Sequence, residues 1–240
     1  MFDDAHWKEV PAVADSITHL ANFDFYGETE KTQLSSNPKV LDLCCGFGRI
    51  SAELARRGFS VTGVDITESY LQTAKEEASL DNLDIEYIKA DAREFVRRDY
   101  FDLAVNLYIS FGYFENKKDD LLMVRNAYES LKNGRSFIIE TLGKEIAVRD
   151  FVETEWFERA GFTVLTQYEA LDSWTFLKNR WILMKDGKKI EKVFNQRLYS
   201  ASELRDLLLE AGFSKVEIYG DWDETPYDKR AAKLIVIGRK

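Results

Sequence analysis

The chain has 240 residues, a formal net charge of −9, 45% hydrophobic residues and two cysteines, which suits one large domain, or a domain with a subdomain, around a real core. No run approaches the ~18 apolar residues of a membrane span, the acidic start Met1-Phe2-Asp3-Asp4 is unlike a signal peptide, and acids interleave with and outnumber bases, which disfavours a nucleic-acid partner. The cysteines, Cys44 and Cys45, are sequence neighbours without disulfide or metal-ligand spacing, so a cytoplasmic protein with no bound metal is expected.

In chain order, residues 3–26 carry a helical period through Trp7, Val10, Val13, Ile17 and Leu20 and close on the aromatics Phe23, Phe25 and Tyr26. A helix and then a loop are expected, and residues 1–37 form an N-terminal helical segment. From residue 39 strands and helices alternate. Lys39–Leu43 reads as a strand, and Arg49–Arg57 as a helix closed by Gly58. Ser60–Asp65 is a second strand. Thr67 suits the cap of a helix whose Tyr70, Leu71, Ala74 and Ala78 share one face. Ile85–Lys89 and Phe101–Leu107 are strands, with a short helix at Arg93–Arg97 between them. A helix over Asp119–Leu131 turns Leu121, Leu122, Val124, Tyr128 and Leu131 inward and stops at Asn133-Gly134. Ser136–Glu140 is a fifth strand.

After Thr141 the rhythm changes. Phe151–Ala160 reads as a short helix or loop. Phe162–Tyr168, Ser173–Met184 and Ile190–Tyr199 are β-favouring runs, the last two joined by the hairpin signal Asp186-Gly187. Ser200–Ala211 is a helix with a capping-box pattern at Ser200 and Glu203, and Phe213–Tyr219 and Ala232–Arg239 supply two last strands. The expected fold is α/β, a doubly wound, mostly parallel seven-stranded sheet with an antiparallel β insertion. Residues 38–145 and 200–240 make the Rossmann-like domain, and residues 146–199 the insertion.

The chemistry centres on Val40-Leu41-Asp42-Leu43-Cys44-Cys45-Gly46-Phe47-Gly48-Arg49. A buried strand runs into a glycine turn that lets a ligand approach the backbone, and the next helix offers free N–H groups. The third small position is Ser51, so a dinucleotide fingerprint is incomplete, and no Lys-Ser/Thr follows to make a phosphate-binding loop. Asp65 ends the second strand at Gly63-Val64-Asp65-Ile66, placed to accept both hydroxyls of a ribose. An NAD-dependent oxidoreductase is the alternative reading of these features.

This segment resembles motif I of the class I S-adenosylmethionine-dependent methyltransferases, with Cys44 where that family carries its first glycine. As an L-residue, Cys44 is expected to avoid positive φ. The resemblance implies a methyltransferase that binds S-adenosylmethionine and releases S-adenosylhomocysteine. It implies cofactor contacts at Asp42, Cys44, Gly46, Gly48, Asp65 and Ile66. It further implies that Asp91 takes the adenine amino group, that the N–H of Ala92 binds a ring nitrogen, and that Asn106 lies beside the transferring methyl. Asn106 is not followed by the prolines of nucleic-acid base methyltransferases. Ser110-Phe111-Gly112-Tyr113-Phe114 instead resembles the corresponding loop of small-molecule and sugar N-methyltransferases.

That resemblance makes the N-terminal segment a lid and the insertion part of the acceptor site. A small polar acceptor is expected, with an RNA-modifying enzyme as a further alternative and a homodimer left open. No residue is assigned as catalytic base. Tyr108, Tyr113 and Tyr26 are the candidates for lining the reactive centre. His6 and His19 sit in no motif, and Trp156, Trp174, Trp181 and Trp222 read as core.

Overall fold

Short apolar runs between helical segments have one efficient burial solution, a parallel sheet covered on both faces. The structure, a computed structural model, describes residues 8–23 and 37–240. Trp7, Phe25, Tyr26 and His6 lie outside the described residues. The strands of the main sheet are β1 (Lys39–Leu43), β2 (Ser60–Asp65), β3 (Ile85–Lys89), β4 (Phe101–Asn106) and β5 (Leu131–Thr141). They are joined late in the chain by β10 (Lys215–Tyr219) and β11 (Leu234–Arg239). The seven strands lie in the order β10-β11-β5-β4-β1-β2-β3, and β11 runs antiparallel to both neighbours. Val40 pairs with Val61 on one side and Leu103 on the other, so β1 is central and its end opens onto the middle of the sheet.

Alternate side chains of this sheet feed two cores. On one face α1 (Val10–Leu20) and α2 (Arg49–Arg56) bury Val13, Ile17, Ile50 and Leu54 against Val40, Val61 and Val105. On the other, α4 (Lys117–Ser130) and α6 (Ala201–Ala211) bury Val124, Ala127, Leu204 and Leu208 against Leu41, Leu43 and Phe137. The capping box of α6 is formed, with Glu203 N donating to Ser200 Oγ (3.2 Å) and Ser200 N to Glu203 Oε2 (2.8 Å). The remaining helices are α3 (Glu68–Leu80) and α5 (Lys144–Arg149).

The insertion folds as a separate antiparallel sheet of β6 (Thr154–Arg159), β7 (Phe162–Leu171), β8 (Phe176–Lys185) and β9 (Lys188–Arg197), in that order. Asp186 (φ +49°) and Gly187 (φ +71°) close the β8–β9 hairpin, and Lys185 pairs with Lys188, as a two-residue turn with both φ positive requires.

Several local expectations need correction. Of residues 151–160, expected as a short helix or loop, 151–153 are loop, but β6 is a strand because β7 supplies its partner, with Trp156 opposite Leu165, and the short helix is α5, before it. α4 turns Met123, Val124 and Ala127 inward, leaving Leu122 43% exposed. Asn133-Gly134 does not separate helix from strand, because Leu131 already belongs to β5. No helix forms at Arg93–Arg97. The N–H groups of Glu94 and Phe95 both donate to Asp91 O, at 2.9 and 3.1 Å, which closes a turn instead. Thr67 is the N-cap residue of α3 but makes no side-chain cap bond, and its own N–H donates to Asp65 Oδ1 at 2.8 Å.

Candidate active site

β1 delivers its last residues to the C-terminal edge of the sheet, where the chain turns through Cys44 (φ +59°), Gly46 (φ +54°) and Gly48 (φ +71°). Cys44 therefore does adopt the left-handed conformation it was expected to avoid. Such a conformation costs an L-residue on the order of 1 kcal/mol and persists only where the surroundings over-determine it. Here they do. Cys45 N donates to Val64 O (3.1 Å), Gly48 N to Cys45 O (2.9 Å) and Gly46 N to Asp65 Oδ2 (2.9 Å). Asn106 Nδ2 holds Leu43 O at 2.9 Å from the neighbouring strand. A Cβ on Gly48 would stand 2.1 Å from Tyr87 Oη, whereas one on Gly46 would meet nothing within 4 Å. The Gly46 side of the turn is open.

Three carboxylates surround this opening, each with different partners. Asp42 is buried and accepts from Ser51 Oγ at 2.6 Å. Burial pushes its pKa up to about 7, Asp65 adds to the rise, and the Ser51 hydroxyl and the Arg49 charge oppose it. Asp65 spends both oxygens on backbone donors, Gly46 N and Thr67 N. Asp91 is gripped by Arg93, whose Nη2 reaches Oδ2 at 2.6 Å and whose Nε contacts both oxygens. The guanidinium holds the Asp91 carboxyl below its ordinary range.

A cavity of about 690 Å³ brings together Asp42, Cys44, Gly46, Asp65, Ile66, Asp91 and Ala92, with Tyr108 and Tyr113 at its far side. Two expected residues are not in its wall. Gly48 packs under the turn against Tyr87, and Asn106 is fully buried, supporting Leu43 from behind. A second cavity of about 930 Å³ lies between the sheet's C-terminal edge and the insertion. Its walls include Phe151, Leu177, Trp181 and Phe194, with Glu140 among them. The two cavities share Tyr70, Tyr108, Ile109 and Tyr113.

Three residues of this region escaped the sequence reading. Tyr70, taken for helix core, is 41% exposed, and its ring centroid lies 4.4 Å from that of Phe47. Arg49 opens α2, is 5% exposed and sets its guanidinium 4.2 Å over the Tyr108 ring. Glu140 closes the apolar run Phe137-Ile138-Ile139 and is 4% exposed. A lone charge ending a buried strand was the signal for Glu140; nothing local marked Tyr70. Among the described residues no side-chain cluster could hold a metal ion, and no helix is long and apolar enough to cross a membrane.

A central parallel strand ending in such a turn, an acid at the end of the next strand and an antiparallel final strand define a class I methyltransferase architecture. Comparison with known proteins agrees. The family model described as a methyltransferase domain matches residues 40–134. The Bacillus subtilis protein YqeM, which its name assigns to the methyltransferases, is 23% identical over 95% of either chain. The CcbJ methyltransferase of Streptomyces caelestis superposes with TM-score 0.79 at 18% identity, covering 96% of this chain and 89% of its own. S-adenosylmethionine-bound CalS10, an amino pentose methyltransferase of Micromonospora echinaspora, gives TM-score 0.69 at 18% identity over 98% of this chain and 92% of its own.

Residues 40–134 thus match a methyltransferase domain, and the fold is that of methyltransferases, one of them holding the cofactor S-adenosylmethionine. The residues present fit that group. The narrower cavity is of ligand size, the open flank of Gly46 leaves backbone accessible, and the Tyr108 hydroxyl is buried without a hydrogen-bond partner among the described residues.

Proposed function

We propose that the chain transfers a methyl group to a small-molecule acceptor seated in the wider cavity, with the cofactor in the narrower one. The observation that supports this most directly is their junction at Tyr70, Tyr108, Ile109 and Tyr113. Bound S-adenosylmethionine supplies a methyl group already activated on a sulfonium. The chain's own task is to orient the acceptor and exclude water. In this reading Asp65 holds the ribose hydroxyls beside Ile66, Asp91 and the N–H of Ala92 hold the adenine edge, and Asp42 receives the amino group of the methionyl end. Cys44 and Gly46 present backbone to the ligand. Gly48 and Asn106 act from behind, by shaping the turn. Tyr108 and Tyr113 line the reactive centre, where aromatic faces suit a cation.

The domain assignment follows the same logic. Residues 38–145 and 200–240 carry the cofactor and residues 146–199 wall the acceptor cavity; of the expected N-terminal lid, α1 packs on the sheet, Glu9 lines the wider cavity, and Tyr26 lies outside the described residues. Glu9, Glu140, Asp150 and Glu155 in the wider cavity and the net charge of −9 favour a small acceptor over nucleic acid. That CalS10 is an amino pentose methyltransferase supports a small polar one. A cytoplasmic location completes the reading, with a homodimer the assembly to check by light scattering.

Calorimetric titration with S-adenosylmethionine, S-adenosylhomocysteine and NAD, on the wild type and Asp65→Ala, tests it. Binding of the adenosyl ligands, weakened at least tenfold by the substitution, is expected. Binding of NAD alone would overturn it in favour of an oxidoreductase.

A further inference from the structure

The residues joining the two cavities are held in an unusual way. Tyr108 (φ +54°) and Ile109 (φ +59°) are consecutive non-glycine residues in the left-handed region, where L side chains crowd the backbone. One residue holds both. Glu140 Oε2 accepts the Tyr108 N–H at 2.6 Å, and the Glu140 carbonyl oxygen accepts the Ile109 N–H at 3.3 Å. This uses one carboxylate oxygen of a residue that lines the wider cavity and leaves the other oxygen over.

Among the described residues the cation paired with that second oxygen, Oε1, is Lys233, whose Nζ lies 3.8 Å away, beyond hydrogen-bond range. The Lys233 side chain is 32% exposed against 6% for that of Glu140, so the lysine can withdraw to water and the carboxylate cannot. Glu140 is also the one buried ionisable residue in the wall of the wider cavity among the described residues. The other charged side chains there, including Glu9, Asp150 and Lys192, are half-buried or exposed. Desolvation raises the Glu140 pKa, and Lys233 opposes the rise. A buried carboxylate with unused acceptor capacity, facing an open cavity, is a strong docking point for a hydrogen-bond donor. Two more wall groups are buried without partners among the described residues, Tyr108 Oη and Trp181 Nε1. Each is an unsatisfied polar group on a residue that lines the cavity.

We propose that Glu140 is the acceptor-binding residue of the wider cavity, docking a hydrogen-bond-donating head group, amine or hydroxyl, carried on an apolar body, while the same carboxylate sets Tyr108 and Ile109 at the junction. This rests on the methyltransferase reading above and names the acceptor chemistry of that site. The apolar body packs on Phe151, Leu177, Trp181 and Phe194, which line the wall above Glu140. Docking at Glu140 brings the head group to the residues both cavities share.

Benzylamine and benzyl alcohol are matched probes that differ only in the head group. Each is titrated calorimetrically into the wild type, Glu140→Gln and Glu140→Ala, with and without saturating S-adenosylhomocysteine. A glutamine keeps an oxygen for the Tyr108 N–H but turns its NH2 toward the cavity, so an ammonium meets a donor, and a hydroxyl, which can turn to accept, loses its charge-assisted bond to a carboxylate. The expected result is binding of at least one probe to the wild type, weakened tenfold or more in Glu140→Gln, with S-adenosylhomocysteine affinity unchanged within twofold. Glu140→Ala, which also releases Tyr108, should weaken both ligands. Which probe binds distinguishes amine from hydroxyl. Equal probe affinity in the wild type and Glu140→Gln, no binding of either probe to the wild type, or loss of S-adenosylhomocysteine binding in Glu140→Gln each overturns the proposal. Failure of the wild type to bind S-adenosylhomocysteine overturns the methyltransferase reading instead, and the titrations without it still decide the role of Glu140.

Discussion

The Ser51 hydroxyl of α2 donates a 2.6 Å hydrogen bond to Asp42 Oδ2 of β1, in a spot where both residues are almost wholly shielded from water. Burial holds the Asp42 pKa at about 7, against an ordinary 3.8. Between those values the folded protein keeps a proton that the unfolded chain has released. This group therefore contributes stability that is complete below the unfolded value and is lost as pH rises through about 7. Asp42→Asn still accepts from Ser51 and cannot titrate. The wild-type melting temperature should fall more between about pH 6 and about pH 8 than that of Asp42→Asn. Parallel pH profiles for the two proteins would refute the buried, proton-holding carboxyl. A ligand ammonium beside Asp42 stabilises the charged form, so S-adenosylhomocysteine affinity should rise over the same interval, and only in the wild type.

Cys44 offers a simpler test. Its φ of +59° is strained for an L-residue and free for glycine, although glycine also gains freedom in the unfolded chain. Cys44→Gly should stabilise the protein by about 0.5–1 kcal/mol, a rise of roughly 1–4 °C in melting temperature for a chain of this size. Cys44→Val, β-branched at the same φ, should lower it. Thermal melts in reducing buffer decide the matter.

The contrast between Cys44 and its surroundings also marks what a sequence can disclose. β1, β2 and β3 were legible to the residue: β1 and β2 as largely buried runs with breakers at their ends, and β3, half-exposed at the sheet edge, by its β-favouring Ile-Glu-Tyr-Ile. The glycine turn and Asp65 were legible for a similar reason, since their spacing is local. What stayed hidden depends on partners distant in the chain. β6 reads as Thr-Glu-Trp-Phe-Glu-Arg, an edge strand whose alternation only means something once β7 lies beside it. Tyr70 keeps the helical period of core, yet the position it reaches is the mouth of a cavity built by other elements. Glu140 is an anomaly in an apolar run until Tyr108, 32 residues away in sequence, turns its N–H toward it. The positive φ of Cys44 was hidden too, because the bonds that impose it come from Asp65, Val64 and Asn106.

Gly46 and Gly48 should separate binding from stability. A Cβ on Gly48 meets Tyr87 Oη at 2.1 Å and Cζ at 2.8 Å, on top of a φ of +71°. Gly48→Ala should destabilise by about 2–3 kcal/mol, and Tyr87→Phe in that background should return part of the loss by removing the nearest atom. Gly46→Ala adds a methyl into open space, so only the φ of +54° counts against folding, at about 1 kcal/mol. Its effect should fall on the ligand, with S-adenosylhomocysteine affinity lowered at least tenfold. Denaturant unfolding and calorimetry on the two variants check the split. Equal stability loss in both would show that Tyr87 does not press on the turn.

The last relationship ties the two sheets together. Asp120, 1% exposed, accepts from Tyr199 Oη at 2.8 Å and lies 3.4 Å from Arg197 Nε. The end of β9 is in turn stitched to the loop that carries Tyr113. Arg197 N donates to Gly112 O at 2.7 Å, Gln196 Nε2 to Phe111 O at 3.1 Å and Arg197 Nη2 to Glu115 O at 2.6 Å. Removing the carboxylate leaves a buried hydroxyl and a largely buried guanidinium short of their partner, and breaking one side of such a group costs about 3 kcal/mol. Asp120→Ala should therefore lose about that much stability. Hydrogen exchange should accelerate over residues 111–115, where the stitches end, and stay slow in β1 and β2. A uniform acceleration across the main sheet would mean that Asp120 supports the whole core. A local one would show that it positions the Tyr113 loop between the two cavities.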